Sequence, residues 1–370
     1  MSSSQTYSPF RSVLLREWRR MTSRCLYFGV CIILPLFTLF FMATIFGNGQ
    51  MENIPIGIVD QDNTASSRAI ARNISAVPTF KVTRHFVNEE AARKAVQKKE
   101  IYGYLSIPPK FEQDAISGKN ATLSYYYHYA LLSVGGELMA AFETSLAPVS
   151  LSPIVMQAVA LGVEQDKITT FLLPVQASNH PIYNPSLDYS VYLSQPFFFV
   201  LFQVLILLIT VYAVGIEIKF RTADEWLFVA KGNMVTAVLG KLLPYTIIFI
   251  LIGWLANYVM FGILHIPFQG SWLLMNMLTA LFVVATQALG LFLFSLFPAI
   301  SLIISIVSMV GSLGATLSGV TFPVTNMYPL VRDASYLFPV RHFTEMMQNM
   351  LYGGSGFIYL WPSVVILCIL

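Results

Sequence analysis

Few residues of this chain could do chemistry, and none falls into a catalytic set. No Gly-x-x-x-x-Gly-Lys-Ser/Thr loop offers backbone amides to a nucleotide's phosphates, and no His-Glu-x-x-His pair could hold zinc. Asp60-x-Asp62 sets two carboxylates close together, but no downstream Gly and Glu complete a calcium loop. Its simpler role is to end a strand and cap a helix. Tyr125, Tyr127 and Tyr129 would share one face of a strand, for packing by default or as a ligand-stacking platform. No catalytic residue and no metal ligand is assigned, and the chain is not read as an enzyme.

What remains is a charged run and three isolated amides. Glu217, Lys219, Arg221, Asp224 and Glu225 precede Trp226, Leu227 and Phe228, and Lys241 closes the segment. Such a run suits a short helix along a membrane face that offers apolar side chains to a partner. A solvated loop with interfacial aromatics is the equal alternative. Gln203, Asn257 and Gln287 stand deep in apolar stretches. Polar groups there tend to face a protein interior or cavity, which makes them a candidate substrate path. Interhelical hydrogen bonding explains them without a substrate.

The elements that position these residues follow from one stretch. Residues 242–331 contain no Asp, Glu, Lys or Arg. A charge at bilayer mid-depth costs about 2.5–3.5 kcal/mol on insertion scales, and roughly 20 apolar residues cross the hydrocarbon core. The run must therefore fold back as several spans. The whole chain is 56% hydrophobic and 11% charged, with mean hydropathy +0.65, against about 25% charged in a soluble domain. A net charge of +3 gives no argument for nucleic acid.

In order, residues 1–24 form a cytoplasmic start with an amphipathic interfacial helix. Phe10, Val13, Leu14, Trp18 and Met21 make its apolar face, with Arg16, Arg19 and Arg20 largely off it. The first span is 25–46, and the arginines before it place the N-terminus inside. Residues 47–188 form one insertion that alternates strand and helix signals, with soluble-domain charge density up to Asn120 and a more apolar second half. Strands are expected at 54–59, 80–86, 101–107 and 121–129. Helices fall between them, and a last helical stretch is broken at Pro148 and Pro153. Spans follow at 189–216, 242–264, 272–297 and 300–320, with the charged segment 217–241 inside. Residues 321–356 suit a broken outer re-entrant hairpin, or an ordinary loop with one amphipathic helix. Residues 357–370 start a sixth span that is cut short here, since fourteen residues reach only ~21 Å. Gly311, Ala315 and Gly319 form a small-residue stripe for close helix packing. The expected fold is thus a polytopic α-helical membrane protein of six spans, with an extracytoplasmic α/β domain inserted between spans 1 and 2.

These residues resemble the ABC-2 type permeases of bacterial ABC exporters. Glu217 stands at the acidic position leaving the second span, and Arg221-Thr222-Ala-Asp224 follows where the family shows Gly-Thr-x-Glu. Ser318-Gly319, Pro323, Pro329, Pro339, Glu345 and Gly353 are similar to its later series. The stretch from Ile56 to Arg68 looks like the outer-domain opening of the drug-exporter-like branch. The resemblance implies a transport subunit in the bacterial cytoplasmic (inner) membrane. It would have no cofactor of its own, with ATP and Mg held in a separate cytoplasmic ATPase, and would work as a dimer with a second copy or paralogue. A periplasmic adaptor protein is a further candidate partner beside the lipid bilayer. It implies coupling to the ATPase through Glu217, Thr222, Glu225, Trp226, Leu227 and Phe228, and roles for Pro339 and Glu345 in the outer segment. The substrate is read as hydrophobic or amphipathic, because six spans offer few charges to solvate an ion. The rival is a non-transporting receptor or assembly scaffold whose outer domain binds a partner.

Overall fold

The computed structural model describes residues 8–45, 47, 49, 51–117, 119, 121–160, 184, 188, 190–353 and 357–370. It divides into two units, Met1–Gly49 with Asp188–Leu370, and Gln50–Leu187.

Among the described residues, five helices of the first unit are long and apolar enough to cross a membrane: Cys25–Ile45, Ser190–Lys219, Met234–Ile263, Trp272–Leu296 and Ile300–Leu317. A shorter apolar helix, Phe357–Ile369, follows. Span two is the most enclosed of the five. Phe199 and Phe202 are fully buried on it, and their rings meet Phe282 and Phe249 from spans four and three at 5.8 and 5.6 Å. The first span does the opposite and exposes Phe37, Phe40 and Phe41. That is an apolar face suited to lipid tails, which are themselves the solvent there.

Span boundaries beside charged residues differ from expectation. Span three begins at Met234 rather than 242, because the Asn233 Oδ1 accepts the Thr236 amide at 3.1 Å and caps it there. Lys241 therefore lies inside the helix. Span two runs on to Lys219, so Glu217 sits in its last turn. In both cases a charge was read as a helix end, and in both it is buried by partners.

The small-residue contact on span five is also shifted. Gly311 and Gly314 are buried, and a Cβ on them would meet Val204 Cγ2 at 2.8 Å and Gln203 Nε2 at 2.7 Å. Ala315 is only half-buried. Gly319 lies beyond the helix end with φ +84°, where it terminates span five rather than packing it. Gly311→Leu should accordingly lower the chain's stability by ~1–3 kcal/mol through overpacking. Ala315→Leu should cost clearly less, and thermal melts of the two variants in detergent compare them directly.

The segment after span five holds a short turn at Val324–Asn326 and the helices Pro329–Ser335 and Pro339–Gly353. The second helix buries Val340, Phe343, Met346, Met347 and Met350 in the same core as the spans. The Phe343 ring lies 4.4 Å from that of Phe199 and 4.7 Å from that of Phe282.

The described residues of the second unit contain a four-stranded sheet in the order β2-β1-β3-β4, with β1 at Ile54–Asp60, β2 at Phe80–Phe86, β3 at Gly103–Ile107 and β4 at Ser124–Tyr127. β1 runs parallel to β2 and β3, while β4 pairs antiparallel with β3. The central β1 is buried on both faces, which explains its near-continuous apolar run. One face packs Ile54, Ile56, Leu105 and Ile107 against Phe142 of the helix Leu132–Ala160. That helix runs through positions 148 and 153, where breaks were expected. Asp60 and Asp62 act as turn and cap. Asp60 accepts the amides of Asp62 and Asn63 at 3.0 Å and the Ser67 hydroxyl at 2.7 Å, and Asp62 accepts the Glu112 amide at 3.1 Å. Tyr125 stacks on Phe142 at 5.2 Å, so it serves the core.

Candidate functional site

The helix Pro9–Ser23 turns Val13, Glu17 and Met21 to one side, each four residues from the next, and all three are buried. Val13 fits against Gly240 of span three, where a Cβ would come within 3.0 Å of its own Cβ. One turn further, the Glu17 carboxylate accepts from Lys241 Nζ at 2.6 Å and from the Tyr245 hydroxyl at 2.7 Å. Lys241 also donates to Glu217 at 2.8 Å. Glu217 in turn receives the Arg16 guanidinium at 3.0 and 3.2 Å, the Thr222 hydroxyl and Arg20. Arg16 also lies 3.8 Å from the exposed Glu225. Three segments far apart in sequence are thereby tied by charge: the N-terminal helix, the end of span two and the start of span three.

Burial decides what this knot is worth. Glu17, Glu217 and Lys241 are each no more than 1% exposed. Charges taken out of water gain little net stability from pairing, but leaving one unpaired costs several kcal/mol. The knot is therefore better at fixing one arrangement than at adding stability.

The short helix Ala223–Val229 sits beside it and splits the apolar trio. Trp226 is buried at 4% exposure. Its Nε1 donates to the Ala237 carbonyl at 3.2 Å, and its ring lies 5.3 Å from Lys241 Nζ. Leu227 is half-buried and Phe228 is 82% exposed. Trp226 thus faces its own chain, and Phe228 is the side chain offered outward. Arg221, at the place of the family's Gly, adopts φ +55°. A left-handed backbone there is what Gly permits freely and other residues pay about 1–2 kcal/mol for.

The other expected residues divide as follows. On the N-terminal helix Arg16 and Arg20 are drawn inward, while Arg19 is exposed. Trp18, expected on the apolar face, is 50% exposed because Glu17 takes the inward position. Gln203, Asn257 and Gln287 are buried and make interhelical bonds. Gln203 Oε1 accepts the Val340 amide at 2.9 Å, Asn257 donates to Asn276 and Thr279 at 3.0 Å, and Gln287 accepts from Thr246 at 2.7 Å. Pro339 opens its helix, and the exposed Glu345 accepts from Ser363 at 3.1 Å. No three His, Cys, Asp or Glu residues gather as a metal site among the described residues. Sequence reasoning missed Glu17 and Tyr245 and took Lys241 for a boundary. A signal existed, since Glu17 is the acid at the centre of the Val13–Met21 register.

Five long apolar helices with a short sixth, and an α/β sheet domain between the first and the later ones, define a polytopic membrane protein. Residues 26–370 match the family described as "ABC-2 family transporter protein", and the chain belongs to it. It is a permease subunit of an ABC-2 transporter, the non-catalytic inner-membrane component, and membership implies an ATPase partner. The chain is 21% identical to the "Inner membrane transport permease YhhJ" of Escherichia coli (strain K12) over 337 residues, covering 86% of this chain and 82% of that one. It is 21% identical over 364 residues to the "Probable multidrug ABC transporter permease YbhS" of the same strain, covering 96% and 92%. A third relative, "Probable multidrug ABC transporter permease YbhR", is 23% identical over 182 residues, 49% of each chain. No solved structure matches.

Proposed function

We propose that this permease exports a hydrophobic or amphipathic substrate, powered by a separate cytoplasmic ABC ATPase, as a dimer with a second copy or a paralogue. The observation that carries the reading is the buried charge knot. It joins the N-terminal helix, the end of span two and the start of span three at one end of the bundle, with Glu225 of the helix Ala223–Val229 3.8 Å from Arg16. A partner pushing on that end would move spans two and three together through Glu217 and Lys241. Thr222 and Glu225 extend the same surface, and Phe228 offers it an apolar contact. The basic residues gathered there, Arg11, Arg16, Arg19, Arg20, Lys219, Arg221 and Lys231, favour the cytoplasmic side. The α/β unit then lies outside, where a periplasmic adaptor could reach it. Each deep amide already bonds a group on a neighbouring helix, Gln203 with the Val340 amide, Asn257 with Thr279 and Gln287 with Thr246, which suits an uncharged or amphipathic substrate.

One experiment tests sidedness and export together. In a chain with its three cysteines replaced, an impermeant thiol reagent should label Ser117→Cys but not Lys231→Cys in intact cells. The same chain, co-purified with its ATPase and reconstituted, should hydrolyse ATP faster with amphipathic cations or lipids present. Labelling at 231 but not at 117 overturns the sidedness. Intact labelling without an associated ATPase favours the receptor or scaffold reading.

A further inference from the structure

A cavity of about 670 Å³ lies where span five ends, walled by Ser318, Pro323, Tyr336, Arg341, Glu345 and Gln348. The Tyr192 hydroxyl donates to the Val320 carbonyl, which ties this region to the start of span two. Glu217 is at the other end of that helix, so the cavity and the charge knot occupy opposite ends of the bundle. The size falls in the range of small-ligand sites, roughly 300–1,000 Å³.

Arg341 is the unusual wall. It is 7% exposed, and its Nε and Nη1 are buried with no hydrogen-bond partner among the described residues. The Tyr336 ring covers one face of the guanidinium at 3.8 Å from its carbon, which supplies attraction but accepts no conventional hydrogen bond. A guanidinium stays ionised even when buried, so its donors want an acceptor. The two carboxylates nearby do not meet that need. Asp333 pairs with Arg332 at 3.5 Å, and Glu345 accepts from Ser363 at 3.1 Å.

We propose that this cavity binds a phosphate group on Arg341. Phosphate supplies several acceptor oxygens and a full negative charge, the partner for which Arg is best shaped. Asp333 and Glu345 on the same wall disfavour a bare polyanion. They suit a phosphate that carries an ammonium or hydroxyl beside it, as a phospholipid headgroup does. Free phosphate is the other source of the same chemistry. The inference stands apart from the direction of transport and from the ATPase.

The test uses the full chain in detergent, with native mass spectrometry to count bound lipid and a thermal melt to follow inorganic phosphate. Phosphatidylglycerol and phosphatidylethanolamine are titrated against diacylglycerol, which has the same tails and no phosphate. If a lipid is the source, the parent binds a phospholipid in preference to diacylglycerol, and Arg341→Gln binds it about tenfold or more weakly, as the loss of charge-assisted bonds predicts. If free phosphate is the source, inorganic phosphate raises the parent's melting temperature and not that of Arg341→Gln, with chloride at equal ionic strength as reference. Should Arg341→Gln fail to fold, Arg341→Lys replaces it and is expected to bind at intermediate strength. Equal response of parent and variant overturns the proposal. So does a parent that neither prefers phospholipid to diacylglycerol nor responds to phosphate.

Discussion

Lys241→Met should destabilise the chain by about 3–5 kcal/mol, the cost of removing one partner from a buried ion pair. Lys241 is fully buried, with its Nζ between Glu17 at 2.6 Å and Glu217 at 2.8 Å. Met fills similar space without the charge. Glu217 would keep Arg16, Arg20 and Thr222, so it is not stranded. Glu17 would be left with the Tyr245 hydroxyl and with Arg20 at 3.8 Å, a carboxylate in an apolar setting without a close cation. The expected readout is a lower melting temperature in detergent and faster proteolysis between Arg11 and Arg24, as the N-terminal helix lifts away. The double variant Glu17→Gln with Lys241→Met should recover most of the loss, because neither charge then lacks a partner. A single variant that melts like the parent would show that the knot does not hold the helix.

The second large effect separates Trp226 from Phe228. Trp226→Ala should cost about 3–5 kcal/mol, as large-to-small changes in a core do, and it also frees the Ala237 carbonyl. Phe228→Ala should leave stability within about 0.5 kcal/mol, since an 82% exposed side chain packs against little. Under the proposed function it should instead weaken ATPase co-purification, by up to the ~1.5–3 kcal/mol that burying one Phe supplies. Melting temperature and pull-down stoichiometry on the same preparations give both answers. If Phe228→Ala retained the ATPase as fully as the parent, the Ala223–Val229 helix would not be the docking element.

Most of the architecture was legible because the bilayer and the sheet each impose one strong pattern. Charge-free runs located the five long helices, and short apolar or alternating runs bounded by polar turns located the four described strands. The boundaries near charge were not legible. Lys241 and Glu217 look like water-exposed ends when the sequence is read locally. They are buried because their partners come from more than 20 and nearly 200 residues away respectively. The face of the N-terminal helix failed for the same reason. Trp18 outranks Glu17 on any hydrophobicity scale, yet Glu17 turns inward once Lys241 and Tyr245 are there to receive it. On span five, spacing alone suggested Gly311, Ala315 and Gly319. Which small residue meets a neighbour depends on Val204 and Gln203 opposite, and no pattern within one helix contains that.

The reach of the knot along the chain also sets an order of events during synthesis. Glu17 and Lys241 are separated by 224 positions, and Glu17 and Tyr245 by 228. At about 5–20 residues per second, a ribosome leaves Glu17 waiting roughly 10–45 s for its lysine. Through that interval the N-terminal helix carries an acid with no cation of its own beyond Arg20. It belongs at the watery surface until span three arrives. A nascent chain stalled or cleaved before Lys241 never closes the knot. It keeps a loose basic helix with an unmatched carboxylate on its inner face, a mark by which an incomplete chain differs from a finished one.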